Sequence, residues 1–332
     1  MQKRNLFINS IKRPRAWLLL ASLTLDPAFA WSNRGHRMVN LAAATNLPAD
    51  MPAFLHTPTS IHEIAYLGPE PDRWRPITEP ELSASSSPDH SFFLERGEML
   101  EPLPRRRYDY LRKLTAYRGE HPDTNNQFTP QGTGMLPWQV LEVYQRLKSS
   151  FRSYRVLTGD LSRSALKDIE PMRAEDLPYV EQTCLFYAGW LGHYLGDGAQ
   201  PLHATVNHNG WEEKDNSHGF TTKRGIHTAI EAETDKEIEA EAVTLQSVQR
   251  SMTKTRYLND VFRDVIPFLR ISQKESITVY ELEKDGRLNA ISPEFQKFTA
   301  RRLAAGASML RDAIYSAWID SKNIGRPQKA DL

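Results

Sequence analysis

The feature that most constrains the fold is a segment, residues 176–196, that is apolar on nearly every side. Its bulky side chains follow helical spacing but leave no polar stripe to face solvent: Leu185, Phe186, Tyr187, Trp190, Leu191, Tyr194 and Leu195. A helix that is hydrophobic all round has to be surrounded by other elements. The sequence therefore predicts a fold built around one central buried helix.

The rest of the chain shows helical rather than strand periodicity. Apolar residues recur every three or four positions in five further segments, which we expect to be helices: 33–44, 137–154, 226–249, 259–273 and 293–320. The intervening stretches are rich in polar residues, proline or serine and predict long loops: 57–107, 119–134 and 205–224. We predict a single, mainly helical, all-α domain whose long loops are functional or held in place.

Composition excludes several classes of protein. The 332 residues are 40% hydrophobic and 25% charged, values typical of a globular protein and not of a collagen-like or disordered one. A formal net charge of +1 supplies no basic field for duplex nucleic acid or an anionic membrane. Because Cys184 is the single cysteine, no internal disulfide can form, and stability must come from packing or from metal.

Residues 1–30 have the three regions of a secretory signal peptide. Five basic residues precede the apolar run 16–25, and Ala28-Phe29-Ala30 supplies small residues at the cleavage site. The run is about half the roughly 20 residues that span a bilayer, so it is too short for an anchor. We expect cleavage after Ala30, a domain over 31–332, and export to the periplasm or beyond. Neither a transmembrane anchor nor an obligate protein partner is evident.

A cluster of polar residues interrupts the end of the central helix. His193 and Asp197 are four residues apart, so they project from the same helical face, and His203 follows just beyond Pro201. Gly192 and Gly196 leave room for a close approach to this face. An unpaired buried carboxylate is costly, which favours a metal site over a hydrogen-bonded core network.

A second pair with the same spacing is His227 and Glu231, at the start of the next predicted helix. Alone it is a common surface pattern. Combined with His203 it gives two histidines and one carboxylate, the ligand set of a catalytic zinc site with one open position.

Other candidate ligands lie far away in the sequence. Asp72 and His90 lie in the first long loop, where an acid after proline is also ordinary turn chemistry. Cleavage after Ala30 would give Trp31 a free α-amine, five residues before His36. A neutral amine is a good zinc ligand, although Trp31 could equally be only the first residue after a signal.

These motifs, in this order, resemble those of a known superfamily. Trp-x4-His, Pro-Asp-x-x-Arg, Asp-His, His-x3-Asp-x5-His and His-x3-Glu run from Trp31 to Glu231. The pattern is similar to that of the trinuclear zinc phosphodiesterases, which include bacterial zinc-dependent phospholipase C and the single-strand-specific zinc nucleases.

The resemblance implies an all-α fold with three zinc ions in one cleft. Asp72, His90, His193 and Asp197 would hold the first ion. The amine and carbonyl of Trp31, with His36 and Asp197, would hold the second, so that Asp197 bridges the two. His203, His227 and Glu231 would hold the third.

The resemblance also implies a reaction, hydrolysis of a phosphodiester by a metal-activated hydroxide. Asp72 would orient or deprotonate the attacking water, and Arg75 would contact the phosphate, unless it is a solvated loop charge. Glu231 and the stretch from His203 to Trp211 are more like the phospholipase C members, so we expect a phospholipid substrate. Single-stranded nucleic acid is the alternative, because Asp72-x-x-Arg75 also occurs in the nucleases.

A protein without catalytic activity is a further alternative. The same ligands could form a structural zinc core that replaces the missing disulfides. Structural sites are closed, however, whereas two of these groups supply only three protein residues each and leave positions vacant. An enzyme is therefore the expectation.

Overall fold

The computed structural model describes residues 31–75, 78–124, 126–162 and 172–323, and within them the chain forms twelve α-helices and only isolated β-bridges. The predicted all-α class is confirmed. The predicted signal peptide, residues 1–30, lies outside the described residues. The helices are α1 (Asn33–Ala44), α2 (Pro58–Leu67), α3 (Pro80–Ser86), α4 (Leu94–Glu98), α5 (Arg107–Glu120), α6 (Pro130–Thr133), α7 (Leu136–Leu157), α8 (Leu177–Ala199), α9 (Ile226–Glu239), α10 (Leu245–Ser251), α11 (Val261–Lys284) and α12 (Pro293–Asp320).

Helix α8 is the central helix that its composition predicts. It packs against α1, α2, α7, α11 and α12. Its last turns are buried on every side, and every residue over 191–199 lies in the interior. A helix so enclosed presents any polar side chain to other protein groups and not to bulk water, which is the environment that His193 and Asp197 occupy.

Glycine lets α1 approach α8 closely. A Cβ at Gly192 would lie 2.0 Å from Asn40 Oδ1, a distance that no real contact allows. The Asn40 amide nitrogen instead donates to the carbonyls of Ile64, at 2.8 Å, and Gly189, at 3.0 Å. The buried Asn40 side chain therefore links α1, α2 and α8 by hydrogen bonds. Helix α1 is the neighbour that occupies the room left by Gly192 on α8.

Several sequence expectations about secondary structure are wrong, among them the predicted loop 119–134, which contains the short helix α6. The predicted loop 57–107 contains α2, which Thr57 caps by accepting from the Ser60 amide. The predicted helix 226–249 is broken, because Glu241 adopts a positive φ of 57° and the chain turns before Thr244 caps α10. In the described part of the chain, no helix combines the length and apolar character needed to cross a bilayer.

The longest irregular segment, 205–224, is held by side chains from two helices. Glu95 of α4 accepts from the Thr205 hydroxyl at 2.6 Å and from the Val206 amide at 3.0 Å. The Tyr280 hydroxyl of α11 donates to the Asn207 carbonyl at 2.8 Å and accepts from the Gly210 amide. The loop is thus anchored against the end of α8, where the candidate ligands lie.

Candidate metal centre

Three groups of buried histidines and carboxylates lie in the described part of the chain, and each could hold a metal ion. They are His36, His193 and Asp197; Asp72, His90 and His193; and His203, His227 and Glu231. In each group the candidate ligand atoms all lie within 4.8 Å of one another. The groups bring together every side chain that the sequence predicts as a ligand, apart from Trp31.

Asp197 stands between the first two groups. Its Oδ2 is 3.0 Å from His90 Nδ1 and 3.2 Å from His193 Nε2. Its Oδ1 is 3.5 Å from His36 Nε2 and faces the other way. The two oxygens of one carboxylate therefore face two different sets of imidazoles, which is the geometry that a bridging ligand requires.

Asp72 completes the same region from a 3-10 turn, Glu70–Trp74. Its Oδ1 lies 3.8 Å from both His90 Nδ1 and His193 Nε2, and its Oδ2 lies 3.8 Å from His36 Nε2. The fixed φ of Pro71 starts this tight turn, and the carboxylate is buried. The same carboxylate accepts from Arg75 Nη1 at 3.3 Å, so Arg75 is held beside the two groups.

The third group forms between the turn after α8 and the first turn of α9. His203 Nε2 is 3.1 Å from His227 Nε2, which is 2.9 Å from Glu231 Oε1. His227 and Glu231 are one helical turn apart, so the i, i+4 spacing brings both to one face, as the sequence predicts. All three side chains are buried.

Backbone carbonyls orient three of the imidazoles. The Nδ1–H groups of His193, His203 and His227 donate to the carbonyls of Gly68, His90 and His208 at 2.8, 2.5 and 3.1 Å. In a neutral ring this leaves a lone pair on each Nε2, pointing into its group. Metal-bound histidines in proteins are held in this way by an acceptor on the other ring nitrogen.

Some of these atoms are in positions that a cation would satisfy. Two neutral imidazoles cannot both present lone pairs at 3.1 Å, as His203 and His227 do, without repulsion. Asp197 Oδ1, which lies 3.5 Å from His36 Nε2, is buried without a hydrogen bond to any described residue. Nitrogen ligands 2.0–2.1 Å from a tetrahedral ion would be roughly 3.3 Å apart, close to the spacing observed. The donor set therefore fits metal ions.

The electrostatics of the cluster separate neutral from charged ligands. Burial lowers the pKa of His90 to about 4 and that of His203 to about 3, so both rings are neutral at physiological pH. Burial also lowers the pKa of His36. Burial opposes a charge on Asp197, but His193 outweighs it and holds the pKa of that carboxyl well below its usual range. Burial opposes a charge on His193, but Asp197 and Asp72 outweigh it and raise the pKa of that ring, so His193 and Asp197 form a charged pair in the metal-free protein. A metal ion bound at this position would replace the proton on His193.

Trp31 lies beside His36, with which the sequence predicts it to share a zinc ion. Its side chain is fully buried, and the indole Nε1–H donates to the Gly196 carbonyl at 2.8 Å. Its main-chain nitrogen is 3.3 Å from His36 Nε2. The Ser32 hydroxyl donates to Asp235 of α9, which fixes the same segment from the other side. The nitrogen of residue 31 is thus positioned against a candidate ligand.

Side chains outside the groups hold the ligand-bearing segments. Arg107 donates to Asp89 at 2.8 Å and to Gln139 at 2.6 Å, which fixes the 3-10 turn that carries His90 against α7. At the end of α8, the carbonyl of Ala199 accepts from buried Arg302 at 2.9 Å, and that of Gly198 from Ser272. The terminal carbonyls of a helix need such partners, and here they keep Asp197 in place.

A cavity of about 150 Å³ opens onto two of the groups, the one that contains His90 and the one that contains His203 and His227. His90, His203 and His227 line it together with Arg75. Its wall also includes His208, which the sequence analysis did not include among the site residues. The His208 ring stacks on Phe93, with centroids 5.0 Å apart, and Nδ1–H donates to the Val206 carbonyl. No spacing rule signals this position, because it depends on how loop 205–224 folds.

The other histidines that match no ligand position lie on the surface. His56, His62, His121 and His218 are exposed. Among the histidines outside the three groups, only His208 is half-buried in the described part of the chain.

No protein-family model matches this chain, and neither does any curated protein sequence.

Proposed function

We propose that this protein is a zinc-dependent phosphodiester hydrolase of the phospholipase C type. The observation that carries the proposal is the convergence of three buried histidine and carboxylate groups beside a cavity that Arg75 lines. Two of the groups share His193, and histidines of both lie within 3.5 Å of Asp197. A structural metal core has no need of a cavity lined by an arginine and by ligands of two groups. An enzyme that binds an anionic substrate does.

Nine residues would hold the ions. Imidazole nitrogen and carboxylate oxygen are ligands that zinc prefers. Asp72, His90, His193 and Asp197 are proposed for one ion, Trp31, His36 and Asp197 for the second, and His203, His227 and Glu231 for the third. Burial together with Asp72 and Asp197 raises the pKa of Glu231 well above its usual range, so a nearby cation is needed to keep it ionised.

When bound, zinc ions make water a nucleophile at neutral pH and neutralise negative charge on phosphate oxygens. The residues of this chain would supply orientation. Arg75, half-buried and tied to Asp72, presents a guanidinium that suits two phosphate oxygens at once. Asp72, with one oxygen on Arg75, is proposed to orient the attacking water. Because the Arg75 side chain is largely buried, its interactions with a bound phosphate would be stronger than in water.

Phospholipid is the proposed substrate class. The sequence features that favour it are Glu231 and the stretch from His203 to Trp211. In the structure this stretch is anchored by Glu95 and Tyr280, and it contributes His208 to the cavity wall. Export directed by residues 1–30, which is also a proposal, would give the enzyme access to lipid outside the cytoplasm.

The test compares two substrates on one preparation. Protein beginning at Trp31 and loaded with zinc is incubated with phosphatidylcholine and with single-stranded DNA, and His203→Ala is the inactive control. We expect release of phosphocholine and diacylglycerol. Rapid cleavage of DNA without lipid turnover would establish the nuclease alternative instead. Three bound ions with neither activity would contradict hydrolase function and leave a structural zinc protein.

A further inference from the structure

Five aromatic side chains form a continuous strip on the surface beside the metal centre: Trp74, Trp190, Phe186, Tyr187 and Tyr179. We refer to these as the aromatic strip. Trp74 packs edge-on against Trp190 with ring centroids 5.1 Å apart, and Trp190 contacts both Phe186 and Tyr187 within 5.9 Å. Tyr179 lines a surface depression together with Phe186 and Tyr187.

The strip begins at the metal centre. Trp74 lies in the chain between Asp72, a candidate ligand, and Arg75, which lines the cavity. Trp190 lies one helical turn before His193 on α8. From there the strip follows α8 toward its amino end, so it leads from the segment that carries Asp72 and Arg75 to open surface.

The exposure of the strip is unusual for aromatic residues. Tyr179 is 71% exposed, and the other four side chains are half-buried. The depression beside them has a volume of about 600 Å³ and is also lined by Glu63, Leu67, Gln182 and Thr183. Contiguous apolar surface of this kind on a protein marks an interaction site.

The chemistry of the strip favours a zwitterionic lipid surface over nucleic acid. A single strand is bound by open ring faces along a cationic groove. Here the rings cover one another, Arg146 lies over the Trp190 ring at 5.5 Å, and the charged side chain among the described residues lining the depression is the carboxylate of Glu63. A carboxylate beside exposed aromatic rings repels a phosphate backbone but attracts quaternary ammonium groups, which form the outer layer of a phosphatidylcholine bilayer.

We propose that the aromatic strip is the surface by which this protein docks on a zwitterionic phospholipid bilayer. Tyrosine and tryptophan, with an apolar ring and a polar edge, favour the headgroup region of a membrane. Docking there would bring the turn that carries Asp72 and Arg75 toward the lipid surface. The proposal rests on the proposed phospholipase activity, since it supplies the way in which a protein with no membrane-spanning helix among its described residues reaches its substrate.

The experiment separates docking from chemistry. Zinc-loaded protein beginning at Trp31 is sedimented with phosphatidylcholine vesicles, and the same preparations are assayed on p-nitrophenyl phosphorylcholine, a soluble phosphodiester. We expect the triple variant Tyr179→Ser, Phe186→Ser and Tyr187→Ser to bind vesicles about tenfold or more weakly. The reason is that it lacks the three aromatic rings whose transfer from water into the membrane favours binding. Hydrolysis of the soluble substrate should stay unchanged. The matched control is Tyr108→Ser, which changes a tyrosine that is 80% exposed on α5.

Tyr179→Ser alone decides the question if the triple variant does not fold, because Tyr179 is the most exposed of the five, and about threefold weaker binding is expected. The proposal is overturned if wild-type protein does not bind these vesicles, if Tyr108→Ser weakens binding equally, or if the variants lose binding to single-stranded DNA but not to vesicles. Vesicle binding without hydrolysis of the soluble substrate would refute the phospholipase function and leave the docking surface standing. Hydrolysis of the soluble substrate without vesicle binding would refute the docking surface and leave the phosphodiesterase function standing.

Discussion

Replacing Asp197 with asparagine should remove two metal ions at once. The substitution keeps the shape of the side chain and removes its charge. Asp197 Oδ2 faces His90 and His193, whereas Oδ1 faces His36, so two of the proposed zinc sites lose a ligand. Glu231 lies in the group with His203 and His227, which does not include Asp197. We therefore expect about three zinc ions in the wild type, about one in Asp197→Asn and about two in Glu231→Gln.

The size of the effect on stability follows from mass action. An ion present at a hundred times its dissociation constant adds about 2.7 kcal/mol to the free energy of unfolding. The zinc-dependent part of the stability should therefore fall by about 5 kcal/mol in Asp197→Asn and by about 3 kcal/mol in Glu231→Gln. Each variant serves as its own reference, because the quantity compared is its unfolding free energy with zinc minus that with a chelator.

Elemental analysis and urea denaturation measure the two quantities. Both variants are purified in parallel with the wild type, and unfolding is followed by circular dichroism in excess zinc and in excess chelator. The reasoning is refuted if Asp197→Asn retains three ions, or if its zinc-dependent stabilisation equals that of Glu231→Gln. In either case Asp197 would not be shared between two sites.

Three further predictions concern other parts of the molecule. Protein with a methionine before Trp31 should bind one ion fewer by elemental analysis, because an amide nitrogen has no lone pair for a metal. Its activity should fall by orders of magnitude while its helical circular dichroism is kept. Three bound ions and full activity would rule out the N-terminal ligand. Burial raises the pKa of Glu237 in the folded protein to about 8 from its ordinary value of 4.5. Between these pH values the carboxyl keeps its proton in the folded protein but loses it in the unfolded chain. The free energy of unfolding therefore falls as the pH rises from about 4.5 to about 8. In metal-free protein Glu237→Gln should match the wild type below pH 4.5 and exceed it by about 3 kcal/mol at pH 7, and equal urea midpoints at both pH values would contradict this. Gly192→Ala should lower the free energy of unfolding by about 3 kcal/mol or more, because the new Cβ would lie 2.0 Å from Asn40 Oδ1. Gly119→Ala is the control, and it should be neutral or stabilising because nothing lies within 4 Å of its Cβ. Thermal melts of the two variants and the wild type measure the difference.

The candidate site could be predicted wherever its residues are close in sequence. His193 and Asp197, like His227 and Glu231, are four residues apart, and the helical repeat alone places each pair on one face. The positions of Asp72 and His90 were expected only through the resemblance, because a turn residue has no periodicity that links it to a helix far along the chain. His208 was not anticipated, since its ring reaches the cavity only through the path of an anchored loop.

The fold could be predicted to a similar extent. The helical class and the buried position of α8 follow from the amino-acid pattern, because a helix without a polar face has no stable place except the interior. Thr57 and Pro58 also signal the start of α2, but the composition of the surrounding segment obscured that signal. The choice of carbonyls that orient the imidazoles, and the way in which the two oxygens of Asp197 face different histidines, depend on tertiary packing. These contacts join residues more than a hundred positions apart, and their geometry depends on how whole helices pack.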